Sequence, residues 1–421
     1  MNLTVQTDRN LVRAAGNSLR HVLLSFTAPE PTRGASRPAV NLAFVIDRSG
    51  SMGGRKIELA RAAVTQALRM LRDSDRFSVV SYDNEIDVVG PSTQASAEAV
   101  RNAIRQVETI QARGNTDLAG GWLKGCEQIA EHLKAEETGR CLLLSDGLAN
   151  QGITDRDELA RHAEALGGRG IRTSCLGIGD DYDERLLSGI SSSSGGHFYH
   201  IETAVQIPDI LTSEIGEALE VVARDVIVAV RPPAGVSVTT LNSYRVRPPA
   251  GGSFVVQLGD LTARQEVSLV FALKFPAAVE GEVASVLFSV SDAAGALSAP
   301  ESDVAWTFAE HRSNDTQPRN VAVDRAVAQL YAAAARADAL ELNRAGRFAD
   351  AMARLEAAAL RVEKYAGSDA QLCRIIAELR ERHEAYSAPM SAMRSKQEFA
   401  ASRNISSMRD ASGKARRRPN T

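Results

Sequence analysis

The chain has 421 residues, 44% of them hydrophobic, which is enough to bury a large core divided among two or three domains. A formal net charge of -3 excludes the strongly basic balance of a general nucleic-acid binder. No window approaches an 18-residue apolar span, and Met1-Asn2-Leu3-Thr4-Val5 has no basic head followed by an apolar core, so the expectation is a cytoplasmic protein without a membrane span.

In chain order, Leu3 to Thr7 and Arg20 to Thr27 read as strands. The apolar run Leu42-Ala43-Phe44-Val45-Ile46 is a buried strand that ends in Asp47-Arg48-Ser49-Gly50-Ser51. A helix is predicted from Arg55 to Arg72, with Ile57, Ala60, Val64, Ala67, Leu68 and Leu71 at helical spacing. Strands follow at Arg76 to Tyr82 and Ile86 to Val89, joined at the turn-forming Asp83-Asn84. Helices at Ala95 to Glu108 and Leu118 to Lys134 flank Gly114-Asn115-Thr116-Asp117. A second apolar strand closes in Leu142-Leu143-Leu144-Ser145-Asp146-Gly147. Then come a helix at Asp155 to Leu166, a strand at Arg172 to Ile178, a helix at Asp183 to Ile190, a strand at His197 to Ile201 and a helix at Val205 to Ala223. Strands alternating with helices predict a mostly parallel, doubly wound sheet covered on both faces.

Three loops of this segment carry a common chemistry. In an extended segment that begins to turn, alternate residues point the same way, so the Asp47 carboxylate and the Ser49 and Ser51 hydroxyls converge. Thr116 adds a hydroxyl near a helix N-terminus, and Asp146 adds a carboxylate at a second strand end. Ligands of open α/β sheets bind at the carboxyl ends of strands, and hard oxygens suit Mg²⁺.

These three segments resemble the metal-ion-dependent adhesion site of the von Willebrand factor type A domain, with all five ligand positions matched: Asp47, Ser49, Ser51, Thr116 and Asp146. The resemblance extends over residues 39 to 222 and implies a bacterial-type intracellular protein that binds other proteins and is not an enzyme. It implies Mg²⁺ or Mn²⁺ held by Ser49, Ser51 and Thr116, with Asp47 and Asp146 orienting ligands or waters and a Glu or Asp of a protein partner completing the coordination. The alternative partner is a MoxR-type AAA+ ATPase, for which the chain would be an adaptor. A metal-dependent hydrolase and a purely structural scaffold are the remaining readings.

Blander readings stand beside these. Asp47, Ser49 and Ser51 are also favoured caps for the Arg55 helix. Gly177-Ile178-Gly179 lacks the third glycine and the first-strand position of a dinucleotide loop, and so reads as a strand-to-helix turn. Ser191-Ser192-Ser193-Ser194-Gly195-Gly196 reads as a flexible loop. No Gly-x-Ser-x-Gly elbow, Walker motif or zinc pattern is present. His197 and His200 fall on opposite faces of their strand, against joint ligation. Cys126, Cys141, Cys175 and Cys373 have no paired spacing and fit reduced thiols.

The flanks, residues 1–35 and 224–310, share strand character, with Asp225 to Arg231, Ser253 to Leu258, Glu266 to Phe275 and Val283 to Ser291 separated by turns such as Pro248-Pro249-Ala250-Gly251-Gly252. They predict one β-sandwich with the type A unit inserted in it. His311 to Asp315 reads as an exposed linker to a C-terminal helical domain at 318–388, with helices Val321 to Ala345, Phe348 to Tyr365 and Ala370 to Tyr386. Residues 389–421 lose hydrophobic periodicity and carry a local excess of positive charge, so they read as a disordered basic tail, the one segment offering a nucleic-acid contact.

Overall fold

The computed structural model describes residues 2–30, 38–134, 137–250, 252–293, 295–297 and 299–418. It divides into an α/β unit in the middle of the chain and a second unit made from the two ends. Strands β1 (Thr4–Thr7), β2 (Leu11–Arg13) and β3 (Ser18–Thr27) open the second unit. The α/β unit then runs β4 (Val40–Asp47), α1 (Arg55–Leu68), β5 (Arg76–Tyr82), β6 (Ile86–Gln94), α2 (Ala97–Glu108), α3 (Leu118–Ala130), β7 (Thr138–Ser145), α4 (Arg156–Gly168), β8 (Ile171–Ile178), α5 (Glu184–Ser194), β9 (Phe198–Ile201) and α6 (Ile207–Leu219).

Its sheet has the order β6-β5-β4-β7-β8-β9, parallel throughout except for β6. Every residue of β4 is buried, as an unbroken apolar run in a sheet covered on both faces requires. Phe44 and Ile46 meet α1, α2 and α6 in one core. On the other face α3 lies across β4, β5 and β7, and α4 and α5 pack together beside β8. Gly121 permits the close approach of α3, because a Cβ there would sit 2.4 Å from the Tyr82 ring. After β4 the chain turns to one side of the sheet and later returns to the other side at β7. The strand order therefore reverses between β4 and β7, and a crevice opens at their carboxyl ends.

Helix α5 corrects the reading of Ser191 to Ser194 as a flexible loop. These serines form its last turn: Ser191 Oγ donates to the Leu187 carbonyl and Ser194 Oγ to the Ile190 carbonyl, both at 2.9 Å, and Gly195 ends the helix at φ 82°. Hydroxyls that bond back to the preceding turn make serine acceptable in a helix, and composition alone does not reveal it.

The second unit continues with β10 (Val221–Arg231), β11 (Ser237–Thr240), β12 (Arg245–Ala250), β13 (Ser253–Thr262), β14 (Glu266–Phe275), β15 (Val283–Ser291) and β16 (Ser302–Ala309). Two sheets result, β1-β3-β14-β11 and β12-β13-β10-β15-β16-β2. Leu24 and Phe26 of β3, Phe271 and Leu273 of β14, Val228 of β10 and Phe288 of β15 share one apolar core. Strand β12 takes in Pro248 and Pro249, which the sequence presents as a turn. It is an edge strand with a register shift between Arg247 and Ala250, and there a missing N–H costs no ladder bond.

The helices are α7 (His311–Thr316), α8 (Val321–Arg344), α9 (Phe348–Ala366), α10 (Ala370–Glu381), α11 (His383–Tyr386) and α12 (Ala392–Ser406). The expected exposed linker at His311 to Asp315 is helix α7, with Asn314 buried and accepting from the Arg20 guanidinium. Helix α8 packs on α9 and α12 and turns Val323, Val327 and Leu330 toward Val270 of β14. The period of two in β14 serves both sides: Leu269 and Phe271 face the shared core, and Val270 faces α8.

The expected disordered tail is also corrected. Its first half is α12, held by Glu398, which accepts from Arg336 Nη2 at 2.9 Å and Tyr386 Oη at 3.2 Å and also pairs with Arg382. Further on, the Glu266 amide donates to the Arg416 carbonyl at 2.8 Å and Arg418 pairs with Glu266 at 3.1 Å. The helix presents polar groups to its neighbours, so no hydrophobic period marks it.

Where β3 meets α8, His21 is buried and its Nε2 lies 2.9 Å from Tyr331 Oη. Burial, reinforced by the charges of Arg361 and Arg319 against the opposing pull of Asp324, lowers its pKa to about 4. The unfolded chain therefore binds more protons than the folded one between pH 6.5 and 4, so this group's contribution to stability is complete above 6.5 and lost as pH falls through 4. His21→Gln is expected to remove up to roughly 3 kcal/mol of the acid destabilisation in that window, read from urea midpoints at pH 7 and pH 4.

Candidate metal centre

The crevice between β4 and β7 holds all five residues singled out in the sequence. Asp47 ends β4 and Ser145 ends β7, with Asp146 next to it, and both carboxylates are fully buried. Asp47 Oδ1 accepts from the Ser49 amide at 2.8 Å, and its Oδ2 accepts from Ser145 Oγ at 2.8 Å. Ser49 Oγ and Ser51 Oγ are 3.1 Å apart, and Ser51 Oγ donates to Asp146 Oδ1 at 2.7 Å. Ser51 Oγ and Thr116 Oγ1 each lie 3.5 Å from the point a Cβ on Gly147 would take, so the three loops meet at one place. Three hydroxyls in front and two carboxylates behind form a hard-oxygen set that suits a divalent cation.

The capping alternative fails. The N-cap of α1 is Gly54, at φ 69° and without a side-chain cap bond, so Asp47, Ser49 and Ser51 are not capping it. Asp117 caps α3 through Gly120, which leaves the Thr116 hydroxyl uncommitted to that task.

Burial pushes the Asp47 carboxyl up to about 6, against hydrogen bonds from Ser49 and Ser145 that lower it. The Lys56 ammonium lies 2.5 Å from Asp146 Oδ2.

Several supporting residues escape a sequence reading because their partners are remote in the chain. Asp83, at the β5–β6 turn, takes Arg48 Nη2 at 3.2 Å and Arg113 Nε at 2.8 Å, tying the Asp47 loop to the Thr116 loop. Burial raises its pKa, but hydrogen bonds from Glu85 and Arg48 and the charges of Arg48 and Arg113 outweigh burial and hold it lowered. Backbone bonds complete the tie, from Arg113 N to Arg48 O at 2.6 Å and from Gly50 N to Gly114 O at 3.1 Å. Asn150, in the Asp146 loop, accepts from the Thr116 amide at 3.0 Å. The only signal of these in the sequence is charge and amide content near the three loops.

The histidines stand elsewhere. His200 Nδ1 meets Tyr182 Oη at 2.8 Å. His197 Nδ1 lies 3.0 Å from Glu214 and 3.8 Å from Glu217 of α6. Ser174 and Tyr199 also donate to Glu214, so this group works as a polar latch between the strand end and α6. Among the described residues Cys126, Cys141 and Cys175 are buried and Cys373 is exposed, none of them in a disulfide, and no helix is long and apolar enough to cross a membrane.

Residues 41–213 match the family model of the von Willebrand factor type A domain. Among known proteins the chain is similar to the uncharacterized protein YfbK of Escherichia coli, 27% identical over 282 residues, which are 66% of this chain and 48% of YfbK. It is similar also to the uncharacterized protein sll0103 of Synechocystis, 26% identical over 288 residues, 66% of each chain. Human inter-alpha-trypsin inhibitor heavy chain H4 is 30% identical over 57% of this chain, which corresponds to 26% of that protein. The chain thus spans about half of YfbK and about two thirds of sll0103. The solved structure of a von Willebrand factor type A protein from Catenulispora acidiphila has the same fold, with a TM-score of 0.72 and 20% identity over 98% of this chain and 97% of that one. The ArnB paralog VWA2 from Sulfolobus acidocaldarius matches at a TM-score of 0.56, with 16% identity over 92% of this chain and 99% of that one.

Proposed function

We propose that the von Willebrand factor type A domain formed by residues 41–213 is a metal-dependent protein-binding module, in which Mg²⁺ or Mn²⁺ bridges the chain to an acidic side chain of a partner protein. The observation that carries this reading is the meeting of Ser49, Ser51 and Thr116 hydroxyls at one end of the sheet, backed by two buried carboxylates. Ser49, Ser51 and Thr116 would hold the ion. Asp47 and Asp146 act one step behind, because the oxygens of each are already taken up by hydrogen bonds. Carboxylates kept back from the ion leave it short of negative charge, and a partner's Glu or Asp supplies what is missing. Ser51 is exposed, so that carboxylate has a way in.

Affinity capture from the native host tests the reading, with wild type and Thr116→Ala compared in Mg²⁺ and in EDTA. The expected result is a protein retained by wild type in Mg²⁺ and absent from the other three lanes. An ATPase behaving this way would make the chain an adaptor for that motor. Retention of the same proteins in all four lanes would remove the metal site from partner binding.

A further inference from the structure

Lys56 is the second residue of α1, and its ammonium approaches Asp146 Oδ2 to 2.5 Å. The other oxygen of Asp146 accepts from Ser51 at 2.7 Å, so the carboxylate is shared between a hydroxyl of the metal centre and a fixed cation. Lys56 Nζ also lies 3.9 Å from the point a Cβ on Gly179 would take, which places the loop after β8 beside it. Its side chain is 32% exposed, whereas Asp146 is fully buried, so the charge pair sits at the mouth of the centre.

We propose that Lys56 is a built-in counter-cation that weakens the centre for a divalent ion alone and couples ion binding to the arrival of a carboxylate. The inference rests on the metal reading of Asp47, Ser49, Ser51, Thr116 and Asp146. Two carboxylates and one ammonium give the centre a net charge of minus one rather than minus two. A divalent ion then leaves it one unit positive, and a partner's carboxylate brings it to neutrality. Without Lys56 the loaded centre is already neutral, and the same carboxylate brings it to minus one. Lys56 also occupies the Asp146 oxygen that would otherwise be available to ligate the ion directly.

The test is calorimetric titration of Mn²⁺ into wild type, Lys56→Met, Lys56→Arg and Asp47→Ala, with and without acetate as the carboxylate probe. Lys56→Met is expected to bind Mn²⁺ roughly tenfold more tightly than wild type, and to gain less from acetate. Lys56→Arg keeps the charge and is expected to follow wild type. Binding by Lys56→Met but not by wild type would support the inference in its strongest form. If wild type binds Mn²⁺ and Asp47→Ala does not, but Lys56→Met binds no more tightly, the role of Lys56 is overturned while the metal centre stands. If neither wild type nor Lys56→Met binds Mn²⁺, the metal centre itself fails and the inference goes with it.

Discussion

Asp47→Asn is expected to stabilise the folded chain in EDTA by about 1–2 kcal/mol while abolishing any stabilisation by Mg²⁺. Asp47 is fully buried, and burial is the largest influence on its carboxyl, which is pushed up to about 6. Keeping that charge out of water costs free energy that the Ser49 and Ser145 hydrogen bonds offset only in part and an arriving cation offsets further. Asparagine has the same shape, accepts from the Ser49 amide and offers its NH₂ to Ser145 Oγ, so the neutral side chain keeps both contacts. Divalent affinity should fall by at least a hundredfold, since the centre loses a full negative charge. Urea unfolding in EDTA and in millimolar Mg²⁺ reads both effects. An Asn variant that is less stable in EDTA would mean that Asp47 serves the fold rather than an ion.

Glu398→Ala should be the most damaging single change in the helical region, costing about 3–5 kcal/mol. Arg336 and Glu398 are both buried, and Arg336 Nε and Nη2 meet Glu398 Oε2 at 3.1 and 2.9 Å. Removing one partner strands the other in a medium that cannot solvate it. The double variant Arg336→Met/Glu398→Leu should recover most of the loss, because neither charge then remains to be solvated. Hydrogen exchange of the α8 and α12 amides is the measure, with protection falling by roughly a hundredfold or more in the single variant. Equal protection in Glu398→Ala and wild type would show that α12 is held by something other than this pair.

The two cases also show what the sequence can and cannot tell. Asp47, Ser49 and Ser51 fall within five residues at the end of an apolar strand, so their convergence follows from backbone geometry alone. Asp146 is legible because it follows the end of an apolar strand, and Thr116 because it stands just before a helix begins. Lys56 is not, because a lysine in the first turn of an amphipathic helix looks like any solvated lysine until the Asp146 loop is brought to it. Asp83 and Arg113 are likewise ordinary turn and loop residues until the strand order sets them side by side. Helix α12 escaped because its buried residues include Ser395, Lys396, Glu398 and Asn404, and period-counting sees only apolar side chains. Strands β2 and β11 span three and four residues, too short for alternation to stand out, and Pro248 and Pro249 disguised β12.

The pairing of the two ends of the chain bears on how the protein is made. Thr27 of β3 sits opposite Glu266 of β14, and Leu11 of β2 opposite Thr307 of β16. Strand β3 can pair with β1 as soon as both are made, but its other edge and β2 must wait for partners about 240 to 300 residues downstream, which at 5–20 residues per second is a delay of roughly 12 to 60 seconds. During it the apolar Val22, Leu24 and Phe26 lack the core they share with β10, β14 and β15, while the α/β segment is complete and free to fold first. Synthesis thus leaves the β1–β3 ribbon with its apolar face uncovered while the α/β domain is finished, a nascent state that a holding chaperone would be expected to recognise.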